Sequence, residues 1–146
     1  MNKRLLRFLQ SGCLCLSATI PGAFAQEGQL MTVDLPFEFQ VKNERFPAGK
    51  YRVTSGSGQT IVRVQSDDHA RTLFSHSAGI QRRDAQDAGT LVFKRYGERY
   101  FLSQIWLPGS NTGRLLNMSS AEREMARSIV KPATKAVAAI PPVAKR

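Results

Sequence analysis

After residue 25 the chain contains no cysteine: its only two, Cys13 and Cys15, lie in the opening stretch of a 146-residue sequence. That absence excludes cysteine nucleophiles, thiolate metal sites and disulfide staples from the remainder, which must fold on its core alone. About 120 residues bury roughly two thirds of their unfolded surface, enough for one small domain. Histidine is scarce as well, with His69 and His76 the only two. A structural zinc takes four ligands and a catalytic zinc three plus an open position, so two histidines would need carboxylates beside them. Long apolar runs are missing too. The longest candidate, "FLQSGCLCLSATI" over residues 8–20, has 13 mildly apolar residues. That is too few for roughly 30 Å of hydrocarbon.

What stands at the start instead is a leader. Lys3, Arg4 and Arg7 form a basic head, the mildly apolar stretch follows, and Pro21-Gly22 leads into "AFA". This pattern predicts a secretory signal peptide over residues 1–25, cut between Ala25 and Gln26, with no transmembrane segment left after cleavage. Cys13 follows Ser11-Gly12 as a lipid-anchored cysteine would, but Gln10 occupies the position that should be leucine-like. Export to the periplasm, cell surface or exterior is therefore expected.

Charge is unevenly spread. The leader holds three of the 21 Lys and Arg and none of the 11 Asp and Glu. Near the other end, Arg123, Arg127, Lys131, Lys135, Lys145 and Arg146 face only Glu122 and Glu124. The intervening body is nearly balanced. A basic end of this kind serves as a solubilising tail or meets anionic envelope polymers. With export expected and the excess concentrated there, nucleic acid is not an expected partner.

From Leu30 onward apolar residues alternate with polar ones, the mark of half-buried strands. Val33, Leu35, Phe37, Phe39 and Val41 share one parity. Pro36, with no N–H to donate, predicts an edge strand or a break at that point. "FPAGKYRV" turns at Pro47 and Gly49, so that Phe46 and Tyr51 end adjacent strands. "TSGSGQT" is a turn and not a phosphate loop, because the strand–loop–helix context is absent. "RTLFSH" and "AGIQ" read as short strands, with "RRDAQDAG" a polar loop after them.

"LVFKRYGERYFLSQIW" predicts a hairpin at Gly97. A two-residue turn of Gly97-Glu98 sets Phe93 opposite Leu102 and Arg95 opposite Tyr100. A bulge at Gly97 would instead pair Lys94 with Glu98 and Leu91 with Phe101. In an unbroken strand Tyr100 and Trp106 share a face with Leu102 and Gln104, opposite Arg99, Phe101, Ser103, Ile105 and Leu107. Two apolar faces predict a central strand covered on both sides. Pro108-Gly109 turns the chain again into "GRLLNM".

Ser119 and Glu122 form a capping box opening a helix over residues 119–130, with Met118, Ala121, Met125 and Ile129 along one stripe. Pro132 stops it, and residues 131–146 read as a disordered basic tail rich in Pro and Ala. The fold class expected is mainly β: a small antiparallel sandwich or barrel of about seven strands over residues 26–118, with one C-terminal helix.

Taken together, "VDLPFEFQV", "FPAGKYRV", "LVFKRYGERYFLSQIW" and "TGRLL…SSAERE" resemble a group of small exported proteins of acidobacterial genomes. The shared pattern runs P-F-x-F, P-A-G-x-Y, then R-Y-G-x-x-Y-F-L-S-x-I-W, over roughly residues 33–124. The resemblance implies export and a bacterial source, and it transfers no catalytic residue.

The chemistry-bearing residues do not assemble into a known reaction set. Asp67, Asp68 and His69 could join His76 around a metal or relay a proton, yet "SDDHA" reads more simply as a polar turn. Asp84 and Asp87 lack the ligand spacing of a calcium loop. Ser103 sits mid-strand and not on a strand-to-helix elbow. No enzyme, cofactor or metal is expected. The function expected is binding of another envelope or extracellular macromolecule through a strand edge, an aromatic face or the basic tail. Arg95, Tyr96, Arg99, Tyr100 and Trp106 are the candidate surface. A barrel that carries a small ligand is the alternative, and a metal or enzymatic site on His69 and His76 a further one.

Overall fold

A computed structural model describes residues 29–55, 60–128 and 132–140. The expected leader, the Gly56–Gly58 turn, Ile129 and the last six residues lie outside them. The described chain is mainly β. Its elements are β1 (Gln29–Leu35), β2 (Phe39–Val41), β3 (Glu44–Phe46), β4 (Gly49–Ser55), β5 (Ile61–Ser66), β6 (Thr72–Gln86), β7 (Thr90–Tyr96), β8 (Arg99–Trp106), β9 (Ser110–Leu116), α1 (Ser120–Ser128) and β10 (Ala133–Ala138). Alternation produced the strands as expected. Met31, Val33 and Leu35 point inward on β1, Tyr51 and Val53 on β4, and Val62 and Val64 on β5.

Hydrogen-bonded neighbours run β1-β4-β5-β6-β9-β8, and β7 and then β10 continue from β8. β6 is one 15-residue strand where two short strands and a polar loop were expected. Its first part, Thr72–His76, pairs with β5, and its second part, from Ser77, pairs with β9. A single strand thus carries the chain from one sheet into the other, as strands do at the corners of barrels and orthogonal sandwiches. The "RRDAQD" stretch stays extended because its pairing with β9 resumes at Gln86 after an irregularity beyond Gln81.

The two free ends of this rolled sheet meet. Ile140, just past β10, forms an antiparallel bridge with Thr32 of β1, its N–H 2.9 Å from the Thr32 carbonyl oxygen. The expected structureless tail is corrected here: Ala133–Ala138 pairs with β7 over six positions. Composition alone misses this, because what orders the segment is a partner edge some 40 residues upstream.

Pro36 breaks the first run as its missing donor requires. β1 ends at Leu35 and β2 begins at Phe39. β2 then lies parallel to β8 through Gln40 and Phe101, and antiparallel to β3. Phe39 enters the centre of the core, with ring centroids 5.3 Å from Phe46, 4.9 Å from Tyr51 and 5.5 Å from Phe93. Edge-to-face and stacked contacts of this kind add about 0.5–1.5 kcal/mol each beyond burial. The Tyr51 hydroxyl donates to the Pro47 carbonyl at 2.5 Å, tying the "FPAGKY" turn to the same cluster. Burial pushes this phenol above its ordinary value, partly offset by Arg71.

The Gly97 hairpin takes the two-residue register: Phe93 pairs with Leu102, Arg95 with Tyr100 and Tyr96 with Arg99. Gly97 has φ of +60° and Glu98 does not follow it into the left-handed region, which is why glycine leads the turn. A bulge does exist, but farther along. Val92 pairs with Gln104 and Phe93 with Leu102, leaving Ser103 as the extra residue on β8. That bulge reverses the parity of the strand. Leu102 and Ile105 both face the core, so Tyr100 and Trp106 end on opposite faces and not on one.

Candidate interaction face

The five expected surface residues separate into three places. On the inner side of the β7–β8 hairpin, half-buried Tyr100 packs on Phe37 at 4.4 Å, and Arg95 lies 5.6 Å from the Tyr100 ring. The Lys135 ammonium, from β10, sits 4.2 Å from the Phe37 centroid and 5.3 Å from that of Tyr100. Arg95 also pairs with Glu98 at 2.8 Å across the turn, an exposed pair of small energetic weight.

On the outer side of the hairpin Tyr96 is buried against Phe101, and its hydroxyl donates to Glu122 Oε1 of α1 at 3.4 Å. Arg99, opposite it, is exposed. The helix is positioned by its cap: Ser119 Oγ accepts the Glu122 N–H at 3.0 Å. The Glu122 side chain is the one fully buried on α1, whereas Ala121 and Met125 of the expected apolar stripe are half-buried. Burial holds the Glu122 carboxyl above its ordinary value, opposed by Lys94 at 3.9 Å, the Tyr96 hydroxyl and the Ser119 N–H. Tyr96 is raised in turn, first by burial and then by Glu122.

Trp106 is only 9% exposed. Its indole lies flat on Gly113 of β9, where an added Cβ would come within 2.5 Å of the ring. The Arg82 guanidinium covers it at 4.6 Å, and the indole N–H of Trp106 donates to Gln104 Oε1 at 3.0 Å. Trp106 is thus a packed side chain and not an open platform.

Ser66–Arg71 is a hydrogen-bonded turn. Asp68 accepts from the Ser66 hydroxyl and the Ala70 N–H, which hold its carboxyl below the usual carboxylate range. His69 adopts φ of +58° in this turn, Asp67 pairs with Arg52 at 2.7 Å, and His76 stands exposed on β6. Asp84 and Asp87 are exposed as well. No three His, Cys, Asp or Glu residues converge among the described residues. No described helix is long and apolar enough to cross a membrane.

The exposed apolar side chains lie elsewhere. Leu30 is 55% exposed, Phe74 58%, Ile61 44% and Ile140 44%. Register places all four on one surface. Leu30 pairs with Thr54, Thr54 with Arg63 and Arg63 with Phe74, a continuous row across β1, β4, β5 and β6. Ile61 belongs to the same side of β5 as Arg63, and Ile140 bridges Thr32, two residues along β1 from Leu30. The opposite side of these strands is the core. Lys50, Arg52 and Arg63 share the face with Asp34, and Arg63 makes no ion pair among the described residues. Lys42 reaches the Phe74 carbonyl at 3.1 Å from the β2–β3 turn.

A signal for these residues was present. In "QLMTVDL" and "IVRV", Leu30 and Ile61 are apolar but out of phase with the inward set, which places them on the wet side of a strand. Comparison with protein-family models, curated proteins and solved structures finds no match.

Proposed function

We propose that this protein is an exported, non-catalytic binding module that presents the outer face of β1, β4, β5 and β6 to another macromolecule of the cell envelope or exterior. The observation that carries the reading is that Leu30, Ile61, Phe74 and Ile140 are exposed on one sheet face, which also carries Arg63. Exposed apolar residues scattered singly need no explanation, but two neighbouring pairs on one face, Ile61 with Phe74 and Leu30 with Ile140, set among polar residues, are what an interaction site offers. A guanidinium on that face with no ion pair among the described residues favours a protein surface that is apolar with a carboxylate among its contacts. The leader and the acidobacterial resemblance support export from a bacterial cell.

The small-ligand alternative has less support. The interior is filled by Phe39, Phe46, Tyr51 and Phe93 together with aliphatic side chains. The tail reading is weakened likewise, since Lys135 lies over Phe37 and Tyr100.

The test is cross-linked capture from the native envelope with wild type, Phe74→Asp, Ile61→Ser and Arg99→Ala. The partner band is expected to disappear with the first two and to persist with Arg99→Ala, all four proteins having matching melting temperatures. Capture indifferent to Phe74 and Ile61 would sink the reading.

A further inference from the structure

β10 is an edge strand like β1, but without the buried side chains, Met31, Val33 and Leu35, that anchor β1 in the core. It has one strand partner, β7, in the register Ala133↔Arg95 to Ala138↔Thr90, and along Ala133–Ala138 its other edge carries none among the described residues. Backbone pairing with β1 comes after it, through the single bridge of Ile140 to Thr32 among the described residues. Its sequence, ATKAVA, is dominated by alanine and lysine, which strands disfavour. Of its six side chains only Val137 is half-buried, and the neighbouring Ala139 is the one buried anchor. Backbone bonds to β7 therefore do most of the holding. The net gain of such a bond is of the same order as the entropy of fixing one residue, so the strand belongs to the low-stability end of the molecule.

β7 is in the opposite situation. Leu91 and Phe93 are in the main core, and its second edge is paired with β8 along its length. When β10 leaves, the acceptor edge stays in place with its N–H and C=O groups exposed, a template for another strand.

We infer that this edge accepts the Ala133–Ile140 segment of a second copy of the chain, by exchange of β10 between copies. The edge is specific for that segment. Val137 must stand beside Leu91, Lys135 must lie over Phe37 and Tyr100, and Ile140 must reach Thr32. A strand lacking a cation at the Lys135 position forfeits the ring contacts. Every copy carries the matching segment, and exchange replaces each contact by an identical one, so concentration decides the outcome. This inference does not rest on the proposed partner face, which lies on β1, β4, β5 and β6 and shares only Ile140 with the exchanging segment.

Engineered cysteines test it on a silent background once Cys13 and Cys15 are replaced by serine. Val92 and Ala136 are Cα partners on the outer side of β7 and β10. A chain carrying both Val92→Cys and Ala136→Cys is expected to close an intrachain disulfide; failure to do so overturns the register and the inference with it. Copies carrying one substitution each are then mixed and mildly oxidised. A covalent heterodimer is expected about tenfold or more above that of a Val92→Cys and Ala133→Cys mixture, whose cysteines face opposite sides and miss the short Cβ separation a disulfide needs. It should also fall when excess cysteine-free chain is added. Equal cross-linking in the two mixtures overturns the inference. Phe74→Asp should leave the heterodimer unchanged, and its loss in that variant would mean that copies meet through the other face and not through exchange.

Discussion

The outsides of the two halves of the sheet carry similar side chains and meet different fates. On β7, β8 and β9, the outward aromatics Tyr96, Phe101 and Trp106 are buried, with Glu122 of α1 reaching Tyr96 and Arg82 lying on Trp106. On β1, β5 and β6, outward Leu30, Ile61 and Phe74 meet solvent. Both surfaces carry large apolar side chains, and what separates them is cover. Most aromatics of the hairpin that dominates the sequence are packed, while the large apolar side chains left open are scattered along stretches that attract little notice.

The strongest way to break this comparison is to truncate one residue from each side. Trp106→Ala should destabilise the fold by about 3–5 kcal/mol, the usual range for a buried large aromatic. A urea midpoint within error of wild type would show that the covered side is not packed as described. Next in size is Gly113→Ala. The added methyl meets the indole of Trp106 and should cost about 1–3 kcal/mol, as overpacking does. Combining it with Trp106→Ala should be markedly less than additive, because the clash needs the ring; strict additivity in the double-variant cycle would refute the contact.

Glu122→Gln probes how the helix is held. Its carboxyl is raised above the ordinary value of 4.5, chiefly by burial. A raised folded value means the folded protein binds the proton more tightly than the unfolded chain does. Its stabilising contribution is complete below the unfolded value and is lost as pH rises through the folded one. Wild type should therefore lose stability relative to Glu122→Gln between those limits, and the variant should be at least as stable at pH 7. Unfolding curves that run parallel across the acid range would count against this account. The smallest effect belongs to the open side: Phe74→Ala should change stability by less than about 0.5 kcal/mol, as exposed substitutions do. A larger loss in thermal unfolding would mean that Phe74 is covered after all.

Local rules made part of this fold legible. Pro36 ended β1, Gly97 marked the hairpin though not which of its two registers is taken, and Ser119 capped α1. Each depends on a few neighbouring residues. Three features depended on distant ones and were not legible. Ser103 became a bulge, which moved Trp106 to the face opposite Tyr100. The two strands expected around Ser77 became one, because β5 and β9 pair with it in succession. ATKAVA became a strand because β7 offered an edge. The candidate face was half legible: parity marked Leu30 and Ile61 as outward, but only register across four strands brought them together with Phe74 and Arg63.

The bridge between Ile140 and Thr32 has a consequence for the order of assembly. One neighbour of the first described strand is supplied by the last described residue, so that pairing cannot form while the C-terminal stretch is still held elsewhere. A chain with such distant pairings folds slowly compared with one built from local contacts.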